Sequence, residues 1–403
     1  MKKLVCLISI SFFISVLIPY NAFAGGLDSL VDSAVKISLI HLKKSIKEVG
    51  VDTLYPTYGT KDLKWQLKGS YDWTSGFYPG CLWYACELSK DPQFNKWAQE
   101  WTAPIEHEKY NTDTHDLGFR FMCSYGNGLR FGKGIDYKNY KNIILTAAET
   151  LAKRYNPKVG CLSSNWDMLK IKDSFPVVID IMMNLELLFW ASENGGPEYL
   201  AEYAASHAET TARDFIRGDG GTYHIVRYNK YTGSIINKGT LQGAGDETTW
   251  SRGQAWGIYG FVVTYRYTKD KKFLRTAEKL ADYFIRHLPG DHVSPWDFQS
   301  DIRYRDVSAT SITASALFEM VKYIKNDSLR DYYLTRAEAM LASLCRPPYF
   351  TDGKNTSCIL DHSVQFLPIN SNVDVPAIFA DYYFLEAVYR YKNLQIQNKN
   401  PLH

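Results

Sequence analysis

The chain has 403 residues, enough for one large domain or two ordinary ones. Its 45% hydrophobic and 22% charged residues are a globular composition, which excludes a disordered chain. A formal net charge of +3 offers none of the strongly basic surface that binding to nucleic acid or an anionic membrane requires.

The first segment is "MKKLVCLISISFFISVLIPYNAFAGG". Two lysines precede an apolar stretch, and Ala22-Phe23-Ala24 forms a small-x-small cleavage site. Residues 1–24 therefore read as a secretory signal peptide, too short in its apolar part for a membrane span. The expectation is an exported protein, periplasmic or extracellular in a bacterium, without membrane attachment after cleavage. Cleavage after Ala24 removes Lys2 and Lys3 and no acidic residue, taking the charge from +3 to +1. Cys6 lies in this segment. Cys81, Cys86, Cys123, Cys161, Cys345 and Cys358 match neither a zinc site nor a dense disulfide scaffold. Export permits disulfides, but cysteines scattered through helical patterns more often pack as small hydrophobes.

From residue 25 to 403 no run of charge, Pro or Gly/Ser marks a linker, and a single domain is expected. Amphipathic stretches of helical period recur at 30–49, 94–108, 140–155, 199–216, 273–288 and 329–345. Between them lie more apolar stretches rich in small residues, at 77–89, 118–129, 177–192, 252–267, 308–324 and 375–392. Amphipathic helices cover one face, whereas the apolar ones must be covered on both sides. Six inner and six outer helices in alternation describe an all-α (α/α)6 barrel of helical hairpins. The strand-like segment 221–240 reads as a short β-hairpin inserted at one end.

The polar, mostly Trp-bearing segments sit where inner helices begin: "YDWTSGFYPG" (71–80), "NTDTHDLGFRF" (111–121), Asp180, "DETTWSRGQAW" (246–256) and "PWDFQSDIRYRDVSATS" (295–311). In a ring of hairpins these starts share one end and converge on one mouth. Helix N-termini there also present free N–H groups to an anionic ligand. Aromatics make up 15% of the chain, a share that suits a sugar-binding cleft and equally a large helical core.

Two carboxylates stand out. Asp180 lies inside the apolar run "VVIDIMMNLELLFWAS", with Asn184 four residues later. An unpaired ionised carboxylate is costly to bury, so Asp180 must be paired, protonated or facing a cavity. Asp116, in "THDLGF", has the plainer alternative of a helix N-cap. Two carboxyls on one cleft push their pKa values apart, leaving one as a general acid near neutrality. Arg252 and Trp256 are four apart on one helix and could clamp a planar carboxylated ring, or Arg252 could pair with an Asp within the core. Asp113, His115 and Asp116 lack the further ligands a metal site needs. His224 could be an ordinary strand histidine. Nothing in the chain has the strand–turn–helix context of a nucleophile elbow, P-loop or dinucleotide site. No metal and no cofactor is expected.

Together "WTSGFYPGCLW", "NTDTHDLGF", "VVIDIMMNLELLFWA", "GDGGTYHIVRYNKYTG", "TLQGAGDETTWSRGQAWGIYGF", "PWDFQ" and "FADYYFLEAVYR" resemble the unsaturated glucuronyl hydrolases. These stretches span almost the whole chain after the leader. The resemblance implies an (α/α)6 barrel that hydrates the C4=C5 double bond of an unsaturated uronate left by a polysaccharide lyase. It also implies Asp180 as general acid/base and Asp116 as its partner carboxylate. Trp73, His115, Trp166, His224, Gln242, Arg252 and Trp256 would line the substrate pocket. The implied partner is an unsaturated oligosaccharide of glycosaminoglycan type, met by a monomer or weak homodimer. One departure is the absence of Lys and Arg between Lys354 and Arg390, which leaves a sulfate on the next sugar without a basic partner in that segment. The alternatives are an unsaturated rhamnogalacturonyl hydrolase of pectin fragments, a glycan-binding protein in which Asp180 is a satisfied core carboxyl, and a sugar epimerase using a histidine pair.

Overall fold

The computed structural model describes residues 20–50, 53–164 and 166–399. Most of the expected leader, residues 1–19, lies outside them.

The chain opens with α1 (Tyr20–Val49) and a hairpin of β1 (Tyr55–Gly59) and β2 (Trp65–Lys68). Then follow α2 (Phe77–Ser89), α3 (Pro92–Thr102), α4 (Leu117–Phe121), α5 (Asn127–Phe131) and α6 (Tyr137–Ala152). A π turn at Met122–Gly126 joins α4 to α5, so the expected helix at 118–129 is one inner element with a bulge. A short pair, β3 (Tyr155–Asn156) and β4 (Cys161–Leu162), precedes β5 (Ser174–Val178). Next come α7 (Leu185–Glu193), α8 (Tyr199–Asp214), β6 (Ile225–Asn229) and β7 (Ile235–Gly239). The chain continues through α9 (Ser251–Thr268), α10 (Lys271–Arg286), α11 (Val307–Met320) and α12 (Asp327–Leu344). It finishes with a hairpin of β8 (Ser363–Phe366) and β9 (Ser371–Val375), then α13 (Ile378–Lys399).

The inner ring is α2, α4–α5, α7, α9, α11 and α13, and it closes because α13 packs on both α11 and α2. The outer helices interleave: α1, α3, α6, α8, α10 and α12. This is the (α/α)6 barrel expected from the alternation. Every residue of α11 is buried, as are the first fourteen of α9, whereas α10 buries one stripe. Outer helices start on capping side chains. Asp91, Asp136, Asp270 and Asn326 accept from backbone N–H groups of the first turns of α3, α6, α10 and α12.

Two expectations need correction. Residues 177–192 are not one helix: β5 leads into a 3-10 turn (Ile179–Asn184), and only then does α7 begin. The β-branched run Val177-Val178-Ile179 and Pro176 favour the extended start. The segment 221–240 is indeed a hairpin, but β5 pairs antiparallel with β6 to make a three-stranded sheet. All six cysteines after the leader are buried and free.

Glycine 118 sets a close approach that matters below. A Cβ there would lie 2.5 Å from the Asn184 Cα and 2.7 Å from its Oδ1, and the backbone atom cannot yield. Gly118→Ala should destabilise the fold by about 1–3 kcal/mol, the usual cost of overpacking, read as a lower denaturation midpoint.

Candidate active site

A cleft of about 370 Å³ opens at the end of the barrel where the inner helices start. Asp180, Asp116, His115, Trp73, Trp166, Gln242 and Arg252 all line it, so seven of the nine residues singled out from the sequence converge there. His224 and Trp256 do not line it, and both are buried just behind.

Strand pairing positions Asp180. Val178 is opposite Ile225, and the Ile179 N–H donates to the His224 carbonyl at 3.0 Å. The chain then turns, and Asp180 Oδ2 comes to rest 3.5 Å from His224 Nε2, too long for a formed hydrogen bond. Both atoms are buried without a partner. Burial pushes the Asp180 carboxyl up to about 6; His115 and Arg252 oppose this, and the Asp116 charge adds to it.

The proton on His224 can be placed. Nδ1 accepts from the N–H groups of Leu241 (3.1 Å) and Gln242 (3.2 Å), so it carries no hydrogen. Burial lowers the pKa of this imidazole to about 3, so it is neutral and its hydrogen is on Nε2, facing Asp180. A histidine held neutral in this way does not serve as a general acid at mild pH, which removes the support for an epimerase-like histidine pair.

Asp116 occupies the N-cap position of α4 but makes no capping hydrogen bond. Its carboxylate is instead clasped by Thr114: the Thr114 hydroxyl donates to Asp116 Oδ2 at 3.1 Å and accepts from the Asp116 N–H at 3.0 Å. Asp116 Oδ1 is 3.3 Å from His115 Nε2. His115 Nδ1 donates to the Ser164 carbonyl at 3.0 Å, so the His115–Asp116 contact is favourable only with a proton between the two.

Arg252 departs from the clamp expected with Trp256. Its Nη1 donates to Asp306 at 2.8 Å and to the Val364 carbonyl, and its Nη2 donates to the Gln365 carbonyl at 2.8 Å. The guanidinium lies over Trp250, 4.6 Å from the ring centre, and over Phe379 at 5.4 Å, not over Trp256. Trp256 packs under the cleft floor, its ring 5.2 Å from that of Phe119. The Arg–Asp alternative is thus the observed one, with one guanidinium edge on the cleft.

Trp166, 37% exposed, stands across from Phe366 with ring centres 6.1 Å apart. Trp73 packs against Phe77, Phe119 and Phe379. Gln242 Nε2 donates to the Gln365 carbonyl at 2.8 Å, so both Gln242 and Arg252 fasten the β8–β9 hairpin to the rim. That hairpin and β1 supply residues the sequence reading passed over: Gln365, Phe366 and Tyr58. The polar stretch 361–374 before α13, outside the polar segments singled out from the sequence, is the available signal for the first two. Tyr58 had none, because its place depends on β1 meeting Ala377. Among the described residues no group of three His, Cys, Asp or Glu side chains could hold a metal ion, and no helix is long and apolar enough to cross a membrane.

Fold and cleft together define a carbohydrate hydrolase built on an (α/α)6 barrel, with a carboxylate pair among aromatic rings. No protein-family model matches the chain. It is 43% identical over 332 residues to an unsaturated glucuronyl hydrolase of Formosa agariphila, covering 81% of each. It is 33% identical over 349 residues to an unsaturated chondroitin disaccharide hydrolase of Streptococcus pyogenes, covering 84% of this chain and 85% of that one. The crystal structure of an unsaturated glucuronyl hydrolase specific for heparin matches with a TM-score of 0.86 at 37% identity, covering 92% of this chain and 98% of the other. The chain belongs to the unsaturated glucuronyl hydrolase family.

The raised pKa of Asp180 has a consequence for stability. Its folded value, about 6, lies above the ordinary aspartate value of 3.8. The ionised form therefore burdens the folded state fully above about pH 6, and the burden vanishes below about pH 4. Asp180→Asn should raise the melting temperature at pH 7 and change it little near pH 4. An equal shift at both pH values would locate the effect in packing instead of charge.

Proposed function

We propose that this cleft removes a 4,5-unsaturated uronic acid from the non-reducing end of a lyase-generated, glycosaminoglycan-type oligosaccharide by hydrating its enol-ether double bond. The observation that carries the reading is a carboxyl with a pKa raised to about 6, opening on a cleft that also holds the Asp116 carboxylate and two indoles. Support comes from the relatives, whose names specify unsaturated glucuronyl and chondroitin disaccharide substrates. A pectin-fragment hydrolase finds no such support, and neither does a protein that only binds glycans.

The chemistry asks for one acid that becomes one base. Asp180 in its acid form protonates C4, and positive charge develops at C5 and the ring oxygen. The Asp116 carboxylate, across the same cleft, stabilises that charge. Water adds at C5 and gives its proton to the Asp180 carboxylate just formed, restoring the acid. The product is a hemiketal at C5. It opens to a ketone, leaving C1 as a hemiacetal whose collapse releases the neighbouring sugar. No bond at C1 is displaced directly, which sets this apart from the usual two-carboxylate glycosidase. The neutral His224 points an N–H at Asp180 and steadies the carboxylate during the step in which it is ionised. Trp73 and Trp166 offer aromatic faces for the two sugar rings.

Among the described residues lining the cleft, His115 and Arg252 are the only basic ones, and Arg252 is already engaged by Asp306. Lys61, which reaches the β8–β9 hairpin, is paired with Asp374 at 2.9 Å. This supports an unsulfated next sugar as the better substrate. We also propose export to the periplasm or the medium, on the strength of the lysines and apolar run of residues 1–24 alone.

Hydration destroys the conjugated chromophore, so ultraviolet absorbance reads the reaction directly. Asp180→Asn should lower kcat by at least about 10²-fold with the fold intact by circular dichroism. A variant keeping more than about a tenth of wild-type kcat would remove Asp180 from the acid role.

The pairing of carboxyls gives a separate expectation. Asp116 adds to the upward shift of Asp180. Asp116→Asn removes that like charge, so the basic limb of the kcat profile should move to lower pH, with a lower rate throughout. An unmoved limb with near-normal rates would return Asp116 to a role at the helix start.

A further inference from the structure

We propose that Arg154 is a positioning residue for Asp116: from behind the cleft it ties together the two loops that aim the Asp116 carboxylate at Asp180. The inference rests on the Asp116–Asp180 pair of the proposed function and adds a residue outside the substrate cleft.

Arg154 follows the end of α6 and is 9% exposed. Its Nε donates to the Thr114 carbonyl at 2.8 Å, and its Nη1 donates to the Ser163 carbonyl at 3.2 Å. The Arg154 carbonyl in turn accepts from the Ser163 N–H at 3.1 Å. Both tethered loops lead straight to Asp116. Thr114 clasps its carboxylate and its N–H through one hydroxyl. Ser164, next to Ser163, receives the N–H of His115, whose other nitrogen faces Asp116. One guanidinium therefore fixes the spacing of the two strands of chain that hold the carboxylate.

The choice of a cation here is informative. Nη2 is buried without a partner, and the protein carries the cost of desolvating this charge. Two carbonyls could be bridged by a neutral amide at less cost. The negative charges that act on Arg154 are those of Asp116 and Asp113, on the loop it holds. The outer side of Arg154 faces a separate groove beside Lys153 and Asn156, so it touches no substrate in the cleft.

The test is a double-mutant cycle of Arg154→Met and Asp116→Asn, with Arg154→Lys as the conservative variant. Arg154→Met should lower kcat roughly 10²-fold, as small misplacements of a catalytic group do, with KM changed by less than about threefold. The basic limb of kcat should move to lower pH, as for Asp116→Asn, because Asp180 is then faced by His115, Arg252 and His224 with Asp116 withdrawn. On the Asp116→Asn background the same change should cost little further activity, since both variants break one device. Arg154→Lys, which keeps the charge and one carbonyl contact, should recover part of kcat. The shift is also readable without substrate, as the carbon-13 carboxyl resonance of Asp180 followed against pH in wild type and Arg154→Met. That readout separates failure of this inference from failure of the hydration reading, which absence of wild-type turnover would show. Losses that add in the double variant, or an Asp180 titration unmoved by Arg154→Met, would overturn the proposal.

Discussion

The ion pair of Arg252 and Asp306 joins three parts of the barrel that the chain order keeps far apart. Asp306 caps α11 by accepting from the Ser308 N–H, and at the same time holds the Arg252 guanidinium of α9. Arg252 then reaches the carbonyls of Val364 and Gln365 in the hairpin before α13. Both side chains are almost wholly buried. A buried pair repays its desolvation only when its remaining donors and acceptors are used, and here the carbonyls and the cap use them. The cleft wall on that side exists because this charge is satisfied in this way. Phe366 faces Trp166 across the opening only while the hairpin stays fastened.

On the other wall, backbone geometry fixes a proton. Two N–H groups converge on Nδ1 of His224, so the imidazole has one tautomer and presents N–H to Asp180. Trp250 covers its ring, with centres 4.5 Å apart. The Arg252 guanidinium lies over that same Trp250, so the two walls share one indole. Burial raises the acid, and a neutral donor beside it keeps the ionised state within reach. Those are the two requirements of a group that must give up a proton and take it back within one turnover.

Much of this was legible in the sequence because it is local. The helical period and the alternation of amphipathic with apolar stretches define inner and outer rings, and polar residues at the inner starts define the mouth. An Asp inside an apolar run announces a perturbed carboxyl wherever the chain takes it. What escaped depends on contacts between distant segments. The β-branched start of β5 hints at an extended segment, but its place in a sheet depends on its partner β6, some fifty residues on. Spacing on α9 pointed Arg252 at Trp256, but the guanidinium is drawn to Asp306 and Trp250, because charge and hydrogen bonding outweigh proximity along one helix. Tyr58 enters the cleft from a hairpin whose position is set by the last inner helix.

The separation of the two carboxyls is itself held by a neutral residue. Asn184 ends the 3-10 turn that carries Asp180, and its Nδ2 donates back to the Asp180 carbonyl at 3.4 Å. Its Oδ1 accepts from the Phe119 N–H at 3.1 Å, inside the helix that Asp116 begins. One amide thus satisfies a free N–H of one inner helix and a carbonyl of the turn that leads into the other, and Gly118 lets the two backbones close up around it. An apolar residue at 184 would leave both groups unpaired in the core. A charged one would add a third charge beside two carboxyls whose balance sets the acid. An amide in an apolar run is therefore as much a part of the catalytic arrangement as the aspartate four residues before it.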